Sequence, residues 1–136
     1  MIGKSYVTDT HPLLNYWCNQ RSKLSKRVLK IFELARSEQC TIYVSSYVFI
    51  EMAQLLRKKA IKLKQPLSVW AQTLFTCQGY RAVPVDLPVA LEYETLLFTK
   101  DPADSLIVAT AIHLKLPLIT NDSLIHQARP CEILWD

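Results

Sequence analysis

Glycine is nearly missing from this chain. Gly3 and Gly79 are the only 2 among 136 residues, and they lie far apart. Neither the dinucleotide-binding fingerprint nor the Walker loop can be written with them, which excludes a glycine-rich phosphate cradle. Long apolar runs are missing too: none approaches the roughly 18 residues that would cross a bilayer, so no membrane segment is expected. Met1–Tyr6 has no apolar signal core, and Ile2 stands where myristoylation needs glycine. Cys18, Cys40, Cys77 and Cys131 form no C-x-x-C pair and fit no zinc spacing. They read as reduced, mostly buried thiols of a cytoplasmic protein. There is no linker, repeat or low-complexity tract, so residues 1–136 are expected to form one domain.

What is present supports a real core. Apolar residues make up 50% of the chain, enough to exclude wholesale disorder. Lys and Arg number 16 against 12 Asp and Glu, a net charge of +4. That permits an anionic partner without requiring one.

The patterning alternates between strand and helix. Strands are expected at 5–9, 41–44, 80–85, 117–120 and 132–135, where β-branched and aromatic residues gather. Pro84 pushes the third of these toward a sheet edge. Helices are expected at 12–18, 22–37, 46–62, 66–76, 88–99 and 101–115, with a short one after Asn121-Asp122-Ser123. In 22–37, Leu24, Val28, Ile31 and Ala35 make one apolar stripe. Ser45 and Ser46 suit the cap of the following helix. Asp101-Pro102-Ala103-Asp104 is a strong helix start, with an acid to cap, a proline at the first helical position and an acid in the first turn. Such alternation predicts an α/β fold with a central, mostly parallel sheet flanked by helices. Ligands in that class bind beyond the carboxyl ends of the strands.

Four acids fall toward that edge. Asp9 ends the first strand, Asp122 follows the fourth, Asp104 lies in the first turn of its helix, and Glu51 lies one to two turns into the helix after 41–44. At about 100° per residue, Asp104 shares the face of Ile107, Val108 and Ala111, and Glu51 sits beside Val48 and Leu55. Carboxylates there lose solvation and repel one another unless a cation compensates. Hard oxygen ligands suit Mg2+ or Mn2+, the usual apparatus of phosphodiester hydrolysis. Each acid also has a plainer reading. Asp9 and Asp122 fit helix caps, Asp104 fits a helix-dipole partner, and Glu51 fits a pair with Lys58. Asp101 reads as a cap rather than a ligand.

The ordered set carries more than its members. Val7-Thr8-Asp9-Thr10-His11-Pro12-Leu13-Leu14 resembles the opening motif of PIN-domain nucleases. Val44-Ser45-Ser46 with Ile50-Glu51-Met52-Ala53 is similar to their second motif. The run from Asp101 to Ala111 resembles the third, and Leu116 to Asp122 resembles the fourth. The match spans nearly the whole chain, and its length and layout resemble the VapC-type toxins of bacterial toxin–antitoxin pairs. The resemblance implies a PIN-like domain with Asp9, Glu51, Asp104 and Asp122 as acids that bind Mg2+ or Mn2+. It implies cleavage of RNA, a cognate antitoxin that covers the site, and a homodimer. Ser105 and Asn121 depart from the family pattern, where arginine and a basic residue or serine are frequent. These departures motivate the alternative, a non-catalytic PIN-like module that binds RNA or a protein.

Hydroxyls and cations complete the set. Thr10, Ser45 and Thr120, with Asn121, lie beside the acids and are expected to orient carboxylates or water. Between Met52 and Val85 there is no acid. Arg57, Lys58, Lys59 and Lys62 in that segment are candidate RNA contacts, against the reading of a solvated helix face. A second basic run is Arg21, Lys23, Lys26, Arg27 and Lys30. Setting aside the four acids leaves 16 basic residues against 8 acids, so the rest of the chain carries +8. A receiver-type phosphoacceptor wants two adjacent acids after the first strand, and a haloacid-type phosphatase wants Asp-x-Asp. Asp9 stands alone, with histidine at 11.

Overall fold

The computed structural model describes residues 3–136. Its strands are β1 (Ser5–Thr8), β2 (Thr41–Ser45), β3 (Tyr80–Val83), β4 (Leu118–Ile119) and β5 (Ile133–Leu134), and its sheet order is β3-β2-β1-β4-β5. Every pairing is parallel, with Val7 opposite both Tyr43 and Leu118. β1 is therefore central, and its Val7 and Thr8 are fully buried, as are Ile42 and Val44 of β2. β3 is an edge strand, as Pro84 required, and it stops before that proline.

The helices are α1 (Thr10–Trp17), α2 (Lys26–Arg36), α3 (Ser46–Arg57), α4 (Leu67–Leu74), α5 (Leu87–Glu94), α6 (Pro102–Leu114) and α7 (Ser123–Ala128). Several are shorter than their periodicity predicts. α2 begins only at Lys26, because the Ser25 hydroxyl accepts from Val28 N and caps it. A separate 3-10 turn at Arg21–Lys23 takes up the residues before it. α3 stops at Arg57 rather than at 62, where Lys59 turns left-handed with φ 57°. The expected apolar stripe is buried as a unit: Val28, Ile31 and Ala35 on α2, with Leu24 just before its cap.

α6 differs from the other long helices. Ala103 and Ser105 are buried along with Ile107, Val108, Ala109, Thr110 and Ala111, so it has no broad solvent face. It packs on β1, α3 and α5 at once. Running antiparallel to the strand it feeds, it delivers its first turn to the carboxyl edge of the sheet. The scarce glycines mark close approaches. A Cβ at Gly79 would collide with the Ala35 carbonyl, and one at Gly3 with the Gln39 carbonyl. The four cysteines are unpaired, and only Cys40 is fully buried; the other three are half-buried. No helix among the described residues is long and apolar enough to cross a membrane.

Candidate active site

The carboxyl edge of the sheet holds a cavity of about 580 Å3. Asp9, Glu51, Asp104 and Asp122 all line it, together with Asp101 and Asn121. The four expected acids thus come from four separate elements to one place. The acids line the cavity without converging on one point: among the described residues, no three His, Cys, Asp or Glu side chains stand close enough to hold one ion as placed.

The cap readings and the site reading turn out to be compatible. Asp9 caps α1 by accepting from Thr10 N at 2.8 Å. Its second oxygen, Oδ2, accepts from the Thr120 hydroxyl at 2.7 Å. Asp122 caps α7 through Oδ1, which accepts from Ile125 N at 2.9 Å. Asp101 caps α6 in the same way through Ala103 N at 3.0 Å. Each cap fixes one oxygen and leaves lone pairs for the cavity. The helix starts also bring positive dipole ends toward the clustered charge. Glu51 does not pair with Lys58; its Oε1 accepts from the Thr10 hydroxyl at 2.6 Å.

Thr10 and Thr120 thus each donate a hydroxyl hydrogen bond to a cavity carboxylate. Thr120 does more: its hydroxyl also accepts from Asp122 N at 3.1 Å, so one buried side chain ties two acids together. Ser45 takes the cap role expected of it before α3 rather than holding an acid. Its hydroxyl accepts from Tyr47 N at 3.2 Å and caps α3, because a serine directly before a helix is closest to that helix's own free N–H groups. Asn121 is exposed and faces the cavity. Ser105 does not line it; the side chain is buried, and its hydroxyl has no partner among the described residues.

The electrostatics single out Asp104. Burial pushes its carboxyl up to about 7, and the nearby Asp122, Asp101, Asp9 and Glu51 push the same way. Asp9 is also raised, first by burial, against the lowering influence of its bonds from Thr120 and Thr10. An all-carboxylate oxygen set with mutual repulsion fits a hard divalent cation, which would reverse both effects.

Some cavity residues escaped the sequence. Asn15 lies one helical turn beyond His11 on α1, a spacing that could have flagged it. Lys23 was visible only as one of a basic run, and it is the cavity's one lysine or arginine among the described residues. Trp135 was visible only as part of the last expected strand, with nothing to tie it to the acids. His126 Nε2 lies 2.7 Å from the Thr120 carbonyl and braces the turn behind Asp122. Conversely, Arg57, Lys58 and Lys59 are exposed and do not line this cavity.

Fold and cavity together define a small α/β domain with an acid-lined cleft at the carboxyl edge of a parallel sheet. The PIN domain family model matches residues 6–129, and the chain belongs to that family. No curated protein matches the chain. The fold is similar to solved structures. One is VapBC2 from Rickettsia felis bound to a DNA fragment from their promoter, at 18% identity and TM-score 0.68, covering 97% of this chain and 99% of that one. Another is FitAcB from Neisseria gonorrhoeae, at 20% identity and TM-score 0.62, covering 95% and 96%. A third is VapBC-1 from nontypeable Haemophilus influenzae, at 16% identity and TM-score 0.61, covering 96% of each chain.

Proposed function

We propose that the protein is a Mg2+- or Mn2+-dependent endoribonuclease, the toxin member of a toxin–antitoxin pair, with residues 1–136 acting as one PIN domain. The observation that carries the reading is the placement of Asp9, Glu51, Asp104 and Asp122 around one cavity, where burial first, and the neighbouring acids after it, raise Asp104 to about 7. An unneutralised cluster of that kind is what a divalent cation would relieve.

These four acids would hold the ion, which supplies Lewis acidity toward a phosphoryl oxygen and an activated water when bound. Thr120 holds Asp9 and the Asp122 backbone in fixed relation, and Thr10 holds Glu51 against α1. Asp9 and Asp122, caps of their own helices, cannot swing away without freeing buried N–H groups. Lys23 offers a cation at the rim for the substrate's phosphate. The likeness to structures described as VapBC and FitAcB supports an antitoxin partner. Unpaired cysteines support a reducing, cytoplasmic setting. Leu87, Leu91 and Leu97, exposed by 68%, 58% and 90%, supply apolar surface for the homodimer that the resemblance implies.

The test is cleavage of an RNA oligonucleotide in Mn2+ by the native chain, Asp9→Asn and Asp104→Asn. Both variants should retain the native circular dichroism and lose cleavage; undiminished metal-dependent cleavage by both overturns the assignment. A second reading, a PIN-like module that binds without cutting, draws on the acids' engagement as helix caps and on the lack of three converging donors among the described residues. Calorimetric titration with Mn2+ separates the two: a competent site binds the ion, and Glu51→Gln weakens that binding.

A further inference from the structure

The acidic cavity does not end at its rim. It shares His11, Asn15 and Lys23 with a second groove of about 470 Å3, which runs past Leu55 to Lys62. That groove shares Cys18 and Lys62 with a third, of about 300 Å3, which adds Lys64 and reaches Trp17 and Trp70. A last small pocket continues between the same two tryptophans toward Thr73. The four depressions therefore follow one another through shared lining residues, from the acids at the carboxyl edge to α4.

Its chemistry changes sharply along the way. The cavity holds five acids and one lysine. Beyond Lys23 no Asp or Glu among the described residues lines the path, while Lys62 and Lys64 do. Both lysines are exposed, and they lie in the segment that follows the early end of α3. The far end presents indole rings, with Trp70 half-buried against Phe49 at a ring separation of 6.5 Å. Cations spaced along a groove that ends on aromatic faces are what single-stranded nucleic acid requires. The cations track the phosphates, and any base can stack on a π-face.

We propose that this acid-free groove is the track for the single-stranded RNA flanking the cleaved phosphodiester, with Lys23, Lys62 and Lys64 on phosphates and Trp70 as a base-stacking platform. The proposal rests on the nuclease reading above. It moves the expected RNA contacts from Arg57, Lys58 and Lys59, which lie outside the path, to Lys62 and its neighbours.

The experiment compares oligouridylates of about 4 and about 12 nucleotides, lengths that bracket the inner cavity alone and the whole path. Cleavage is measured in Mn2+, and affinity against salt is measured with the Asp104→Asn variant. The longer RNA should bind tighter and should shield Lys62 and Lys64 from amine acylation, read by mass spectrometry. Replacing both lysines with alanine should weaken the longer RNA about 10-fold and flatten its log–log salt dependence by about 1.4, at roughly 0.7 per phosphate contact. Trp70→Ala should weaken it about 10-fold, and Trp70→Phe, which keeps a ring and the fold, much less. An unchanged salt slope in the double variant, or unshielded lysines under bound RNA, overturns the track while the cleavage assay leaves the nuclease reading standing. Shielding by polyglutamate but not by RNA also overturns it and assigns the groove to an acidic protein segment. Failure of the native chain to cut either oligonucleotide strikes the nuclease reading instead.

Discussion

The acidic cavity and the basic groove beside it are built on opposite terms. In the cavity, four of the five acids are held by hydrogen bonds. Asp9, Asp101 and Asp122 each cap a helix, Thr10 and Thr120 pin the carboxylates, and Thr120 has no solvent exposure. In the groove, Lys62 and Lys64 are exposed and follow the end of a helix rather than lying within one. The difference teaches where this domain invests its order. Like charges gathered at an edge need many fixed hydrogen bonds to stay together. Scattered cations meeting a flexible polyanion need only reach, because phosphate contact is long-ranged and tolerant of position. The net charge of +4 is thus the sum of two unlike surfaces.

That contrast can be broken most directly at the acids. Asp9→Asn or Asp104→Asn should lower RNA cleavage by about 1000-fold or more, on the order expected when a metal-holding group is lost. Thr120→Val should come next. It deletes the bond to Asp9 Oδ2 and the acceptor for Asp122 N. A loss of about 10- to 100-fold in Mn2+ affinity is expected by calorimetry, together with about 2 kcal/mol of stability by denaturant titration. The double lysine change in the groove should be milder, about 10-fold and salt-dependent. An equal effect of both regions on the longer RNA would erase the distinction drawn between them.

The smallest effect is on stability against pH, and its sign is informative. Folding raises the Asp104 carboxyl from its ordinary 3.8 to about 7. The folded state therefore binds this proton more tightly than the unfolded state does. The group costs nothing below about pH 4, its penalty grows as pH rises toward 7, and it stays constant above. Asp104→Asn should thus stabilise the metal-free protein at pH 8 by about 1 to 2 kcal/mol, allowing for solvent screening of a half-exposed group. At pH 4 it should change little. Thermal melts at the two pH values, without metal and then with Mn2+, measure this directly. Added Mn2+ should remove the advantage of the variant at pH 8 by stabilising the native chain more.

Much of the architecture was legible because it depends on short-range rules. β-branched runs, the Asp101-Pro102 start and the stripe of α2 each act within a turn or two of chain, and all appear where expected. The order of acids along the chain, each just past a strand or at a helix start, sufficed to place Asp9, Asp104 and Asp122 at one edge. Helix ends were less legible. Lys59 takes a left-handed conformation that glycine usually marks, in a chain that had almost no glycine to mark it.

By itself, then, the sequence determined the alternation of elements, the parallel sheet they imply and the identity of the clustered acids, since each follows from local spacing and strand direction. Only the tertiary structure decided which partners those acids take. Thr120 reaches Asp9 across 111 positions, Thr10 reaches Glu51 across 41, and Trp135 comes to the cavity from the end of the chain. It also decided which lysines join the path from that cavity and which face away. Contacts of that range are fixed by how the sheet and helices pack, and no local periodicity encodes them.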